Sequence, residues 1–109
     1  MKIRILRSAV EDLAAAREFY DRQEAGVGDY FFDSLFAEID SLTIYGGIHS
    51  VHFGFHRLLA KRFPYAVYYR IIDDNVIVFQ VLDCRRDQKK LHKAFEGIDK
   101  SMESNDQKN

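Results

Sequence analysis

The chain has 109 residues, of which 47% are hydrophobic and 14% aromatic. This length and composition fit one globular domain with a modest core, and they exclude a disordered chain and a two-domain protein. The net charge of −1 conceals an uneven distribution, because Ser8–Gly47 holds nine acidic and two basic residues and His56–Lys93 nine basic and four acidic ones. We therefore expect one half to face water and the other to meet an acidic partner.

The first segment alternates and then becomes helical. Lys2–Arg7 alternates in a way that predicts a short strand. Ser8 and Glu11 have the spacing of a capping box, in which each side chain accepts the other residue's amide. A helix is expected from there to about Glu24.

Gly26 and Gly28 separate this helix from a second one, predicted from about Val27 to Tyr45. Gly46 and Gly47 end it, because glycine takes a positive φ at little cost. The short link predicts an antiparallel helical hairpin. The apolar stripe of the second helix consists of Phe31, Leu35, Ile39 and Leu42, widened by Phe32 and Phe36.

The rest of the chain has the pattern of strands. Ile48–Phe55 is ambiguous, since only Val51 and Phe53 alternate there. The turn Asp73–Asn75 joins the last two strands. The predicted strands are Arg57–Arg62, Ala66–Ile72 and Val76–Leu82.

Residues from Asp87 to about Gly97 are predicted to form a short helix, and residues 98–109 a flexible polar tail after a single domain of residues 1–97. The order of elements predicts an α+β fold. It has an N-terminal strand and an antiparallel helical hairpin packed on a twisted, mainly antiparallel sheet, with a short C-terminal helix.

The cysteine count, the distribution of apolar residues and the histidine spacing argue against a disulfide, a membrane span and a metal site. Cys84 is the only cysteine, which excludes an intrachain disulfide and fits a reducing cytoplasm; burial is its favoured role, and a nucleophile the alternative. No segment approaches the roughly 20 apolar residues of a membrane span. No metal and no cofactor are expected, since the four histidines, His49, His52, His56 and His92, lack partners at ligand spacing.

Basic residues cluster along the strands and after them. We interpret Arg57, Arg62, Arg70, Arg85 and Arg86 as a target-binding surface. The alternative is that they are solvated strand ends, or pair with neighbouring aspartates. Tyr65 and Tyr69 are expected on one sheet face and Tyr68 on the other, either in a core or stacked on bases.

These segments, in this order, resemble the RelE/ParE superfamily of toxins from type II toxin–antitoxin systems, which includes many plasmid stabilisation proteins. The resemblance covers about residues 2 to 95. It rests on Ser8–Leu13, Glu18–Tyr20, Arg57, Phe63–Arg70, Val76–Val81 and Arg85–Asp87.

The resemblance implies a small cytoplasmic toxin that a cognate antitoxin neutralises in a hetero-oligomeric complex. RelE-like members cut mRNA in the ribosome, and ParE-like members inhibit DNA gyrase without being nucleases. If this chain were a nuclease, the family pattern would assign catalysis to Arg57, Arg86 and His92.

The match to the nuclease branch is incomplete. Leu59 and Ala66 stand where its members carry further cations, and arginine is a poor general base. Asp83–Gln88 also departs from the His-x-x-Arg-x-Pro run of many ParE-like members. We predict a ParE-like gyrase inhibitor; the alternatives are a ribosome-dependent mRNA endonuclease and a non-toxic antitoxin-binding module.

Overall fold

A computed structural model describes residues 1–85 of the chain. The predicted C-terminal helix, the polar tail, Arg86 and His92 lie outside the described residues. The elements are β1 (Lys2–Ile5), α1 (Arg7–Gln23), α2 (Val27–Asp40), α3 (Leu42–Tyr45), β2 (Val51–His52), β3 (Phe55–Leu59), β4 (Tyr65–Ile72) and β5 (Asn75–Asp83).

The strands form one sheet in the order β1-β5-β4-β3-β2. Neighbouring strands run antiparallel, except that β1 pairs parallel with β5. The helices α1 and α2 pack as a hairpin, and α1 lies against β5. The predicted α+β class, with its helical hairpin and mainly antiparallel sheet, is confirmed.

The turn of the helical hairpin depends on Asp21 and two glycines. The Asp21 carboxylate accepts hydrogen bonds from the amides of Gly26 and Gly28. Gly26 has a φ of 91°, which favours glycine. At Gly28, a Cβ atom would lie 2.4 Å from the Arg17 carbonyl oxygen, so the hairpin closes only around a residue without a side chain.

The capping box predicted for Ser8 and Glu11 is wrong. Helix α1 begins at Arg7, and Leu6 precedes it with extended backbone. The Leu6 carbonyl accepts the amides of Ala9 and Val10. The Ser8 hydroxyl donates to the Phe79 carbonyl in β5, so a tertiary hydrogen bond replaces the local one.

Three element boundaries also differ from the predictions. The single helix expected over Val27–Tyr45 is interrupted at Ser41, whose hydroxyl donates to the Glu38 carbonyl. The strand expected over Arg57–Arg62 starts earlier and ends at Leu59, because a turn with positive φ at Phe53 and Gly54 brings Phe55 into the sheet. The ambiguous stretch Ile48–Phe55 supplies β2, this turn and the first residue of β3.

Two apolar clusters cover the two faces of the sheet. The first core lies between the helices and the sheet, and the second core lies on the opposite face. The bulge in β5 opposite Tyr68 and Tyr69 turns Val81 back towards the first core. The first core includes Leu13, Phe31, Leu35, Ile39, Val67, Tyr69, Val78 and Val81, and the second Phe55, Ala66, Tyr68, Phe79 and Leu82.

The tyrosines occupy the predicted faces, since Tyr65 and Tyr69 belong to the first core and Tyr68 to the second. All three are at most 8% exposed. The base-stacking alternative is therefore wrong for them. Within residues 1–85, no helix is long and apolar enough to cross a membrane.

Candidate target-binding surface

Four basic side chains lie on the sheet face that carries the second core, which is called the second face below. Strand alternation places them there, because their neighbours Ile3, Leu58 and Tyr69 pack into the first core. The described strand residues of this face include no Asp or Glu. The four are Lys2 and Arg4 on β1, Arg57 on β3 and Arg70 on β4.

Arg57 is half-buried beside Tyr68, its partner across the β3–β4 ladder. Its Nε atom is buried and makes no hydrogen bond. Burial raises the pKa of Tyr68, and the Arg57 guanidinium opposes that rise. A guanidinium is more weakly hydrated than an ammonium, so a partly buried position beside Tyr68 suits an arginine better than a lysine.

Arg70 is held by an aromatic platform. Its guanidinium carbon lies 3.9 Å from the centroid of the Phe55 ring and 5.7 Å from that of Phe79. Its Nε donates to the Gly54 carbonyl at 3.0 Å. Cation–π contact and hydrogen bonding together restrict the side chain to the second face.

Two of the predicted arginines lie away from Arg57 and Arg70. Arg62 follows β3 and turns towards α2, where it donates to the Tyr30 hydroxyl at 3.0 Å. Arg85 follows β5 and binds Asp83 through both Nε and Nη2, which raises the pKa of Arg85. The structure therefore brings Arg57 and Arg70 together and separates Arg62 and Arg85 from them.

The expected burial of Cys84 is wrong. The residue is exposed directly after β5, where its amide donates to the Pro64 carbonyl. Partial desolvation still raises the pKa of the Cys84 thiol, with Asp83 adding to the rise and Arg57 opposing it. A raised pKa lowers the fraction of thiolate, the nucleophilic form, at neutral pH and so argues against the nucleophilic alternative.

Lys2 and Arg4 were missed by sequence reasoning. Their signal was present in the alternation of β1, but this strand is far in sequence from the arginine-rich region. The parallel pairing of Arg4 with Ile77 brings β1 beside β5 and adds both cations to the second face.

Comparisons with known proteins identify the family of the chain. The family model for the ParE toxin of type II toxin-antitoxin system, parDE, matches residues 3–88. The chain belongs to the ParE toxin family. A search of curated proteins found no match.

A solved structure described as the chromosomal ParDE TA system from P. aeruginosa is similar, with a TM-score of 0.67 and 16% identity over 74% of this chain and 92% of that chain. At this identity the likeness shows the fold. The two proteins thus share the sheet and the helical hairpin. The likeness carries no information about the basic side chains on the second face.

Proposed function

We propose that this ParE-family chain acts in the cytoplasm as a toxin that inhibits DNA gyrase and is neutralised by a cognate antitoxin. The observation that carries the proposal is the family match over residues 3–88. The second face supports it, because this face presents basic side chains beside a cluster of apolar side chains. Such a surface is suited to docking onto another macromolecule.

The same face is a poor site for RNA cleavage. Attack by a ribose hydroxyl needs a group that removes its proton and cations that stabilise the phosphorane. At the two positions where nuclease members carry further cations, this chain has Leu59 and the buried Ala66. Of the residues that the nuclease pattern would use, the structure describes only Arg57, and a guanidinium stays protonated and cannot act as the base. The proton transfer would therefore fall to His92, which lies outside the described residues.

Target binding is proposed to use Arg57 and Arg70, together with Arg86 beyond the described residues. Arg62 and Arg85 belong to the same predicted set but lie elsewhere on the molecule, so they provide a matched comparison. We expect Arg57→Ala combined with Arg70→Ala to abolish toxicity, and Arg62→Ala combined with Arg85→Ala to leave most of it.

The test is a supercoiling assay with purified gyrase, run beside primer extension on a translated mRNA. Loss of supercoiling with intact mRNA is the expected result. Full supercoiling at a large excess of the chain, with cut mRNA, would assign the endonuclease function instead. Normal growth of cells that express the chain without antitoxin would exclude both toxin functions. The antitoxin-binding module would then be the remaining function.

A further inference from the structure

The basic side chains of the second face are regularly spaced across the sheet. Arg4 pairs with Ile77 and Ile77 with Arg70, so these three residues lie in one line across β1, β5 and β4. Neighbouring strands are about 4.8 Å apart, which separates the Arg4 and Arg70 backbones by about 10 Å. Lys2 lies two residues before Arg4 on β1, and Arg57 is a diagonal neighbour of Arg70 on β3. The four residues therefore form a grid with spacings of about 7 to 10 Å.

The side chains of this grid are suited to binding phosphate. Lys2 and Arg4 are exposed, and Arg57 and Arg70 are half-buried. Arg70 is already restricted by the Phe55 ring and the Gly54 carbonyl, so it has little side-chain freedom to lose on binding. A guanidinium presents a planar fork of donors that matches two oxygen atoms of one phosphate.

The second face offers little apolar surface to a protein partner. The apolar side chains of the second core are at most 5% exposed. Leu59 and Ile72 are exposed on this face, but at the ends of their strands. Protein interfaces have an apolar centre that is depleted of charged residues, which is the reverse of this arrangement. Contacts to a nucleic-acid backbone are made by Arg and Lys and need no apolar centre.

We propose that the second face binds the phosphate backbone of duplex DNA through Lys2, Arg4, Arg57 and Arg70. This inference rests on the proposed function, since duplex DNA is the substrate that gyrase holds. The grooves of B-DNA are about 6 Å and about 12 Å wide, so long basic side chains about 10 Å apart can reach both strands across one groove.

The charge distribution orients the molecule on DNA. Ser8–Gly47, which contains most of the helical hairpin, holds nine acidic and two basic residues. The helical side is therefore repelled by phosphates, and the second face turns towards them. No helix or β-ribbon of residues 1–85 protrudes from this face into a groove, so the contacts are to phosphates and we expect binding to be independent of sequence.

The test is a fluorescence anisotropy titration of a labelled duplex with the purified full chain. Four phosphate contacts predict that affinity falls about 150-fold over a fourfold rise in NaCl, because each contact adds about 0.9 to the slope of log K against log salt. Lys2→Gln with Arg4→Gln removes two contacts and should reduce this fall to about tenfold. An equal salt dependence in this variant and in the unaltered chain would overturn the assignment.

Arg17→Gln with Arg22→Gln is the matched control. It also removes two exposed positive charges, but on α1, on the other side of the sheet. It should retain the full salt dependence. Unlabelled duplex should displace the labelled duplex better than polyglutamate does at the same concentration of charge. Equal displacement by the two polymers would overturn the assignment and favour an acidic protein surface as the partner.

A supercoiling assay with the same variants separates this inference from the proposed function. The Lys2/Arg4 variant should inhibit gyrase less than the unaltered chain, by about the factor by which its affinity for duplex is reduced. Inhibition of gyrase by a chain that binds no duplex would overturn the DNA contact and leave gyrase inhibition intact. Binding with the expected salt dependence but without inhibition would support the DNA contact and refute the proposed function.

Discussion

Acidification should loosen the segment between α3 and β2, because a buried tyrosine depends on a neutral histidine there. The Tyr69 hydroxyl accepts the Gly47 amide at 3.0 Å and lies 2.5 Å from Nδ1 of His49. When Nδ1 of His49 carries no proton, the phenol donates to it while its oxygen accepts the Gly47 amide. This arrangement requires Nδ1 to be unprotonated.

The surroundings of His49 oppose its protonation. Burial lowers the pKa of His49 below 6.5, the positive charge of a protonated His56 lowers it further, and Glu38 raises it. His56 is stacked on the Tyr69 ring and its Nδ1 lies 2.7 Å from the His49 carbonyl. The folded chain therefore binds fewer protons at His49 than the unfolded chain does near pH 6.

The sign of the effect follows from this difference. The contribution of His49 to stability is complete above about pH 6.5 and decreases as the pH falls towards its lower folded-state pKa. The phenol–imidazole hydrogen bond lost on protonation sets a scale of about 0.5–1.5 kcal/mol. Tyr69→Phe, which removes the bonds to both Gly47 and His49, should cost about 1–3 kcal/mol at pH 8.

Urea unfolding at pH 8.0, 6.5 and 5.5 measures the effect. His49→Gln keeps an acceptor that does not titrate, so its stability should decrease less than that of the unaltered chain between pH 6.5 and 5.5. His52→Gln is the control, because His52 bonds the Ser50 hydroxyl at the exposed sheet edge. Equal losses in the unaltered chain and in His49→Gln would refute the reasoning.

Three further substitutions test the packing of the hairpin on the sheet, each by thermal and urea unfolding. Asp12→Ala removes the acceptor of the Val81 amide, 2.9 Å away, and should lower the free energy of unfolding by about 1–3 kcal/mol. Asp12→Asn keeps an acceptor oxygen and should lower it less, so equal losses in the two variants would contradict this role of Asp12. Gly28→Ala drives a Cβ against the Arg17 carbonyl and should cost about 1–3 kcal/mol, so a neutral result would show that the hairpin adjusts. Phe31→Ala empties a fully buried site among aromatic rings and should cost about 3–5 kcal/mol; a loss below 1 kcal/mol would count against this packing.

The order of elements could be predicted because each element has a clear periodicity. Phe31, Leu35 and Ile39 recur at helical spacing, and all three are buried in the first core. The alternation of Tyr65 and Tyr68 likewise predicted opposite faces. These signals are local, and the tertiary structure agrees with them.

The errors arose where a distant partner competes with a local motif. Ser8 has the sequence of an N-cap, but the Phe79 carbonyl is available across the sheet, and no local pattern shows that. Arg62 is close in sequence to Arg57, yet the turn after β3 carries it to Tyr30 on α2. Grouping arginines by sequence therefore merged two surfaces, and it omitted Lys2 and Arg4.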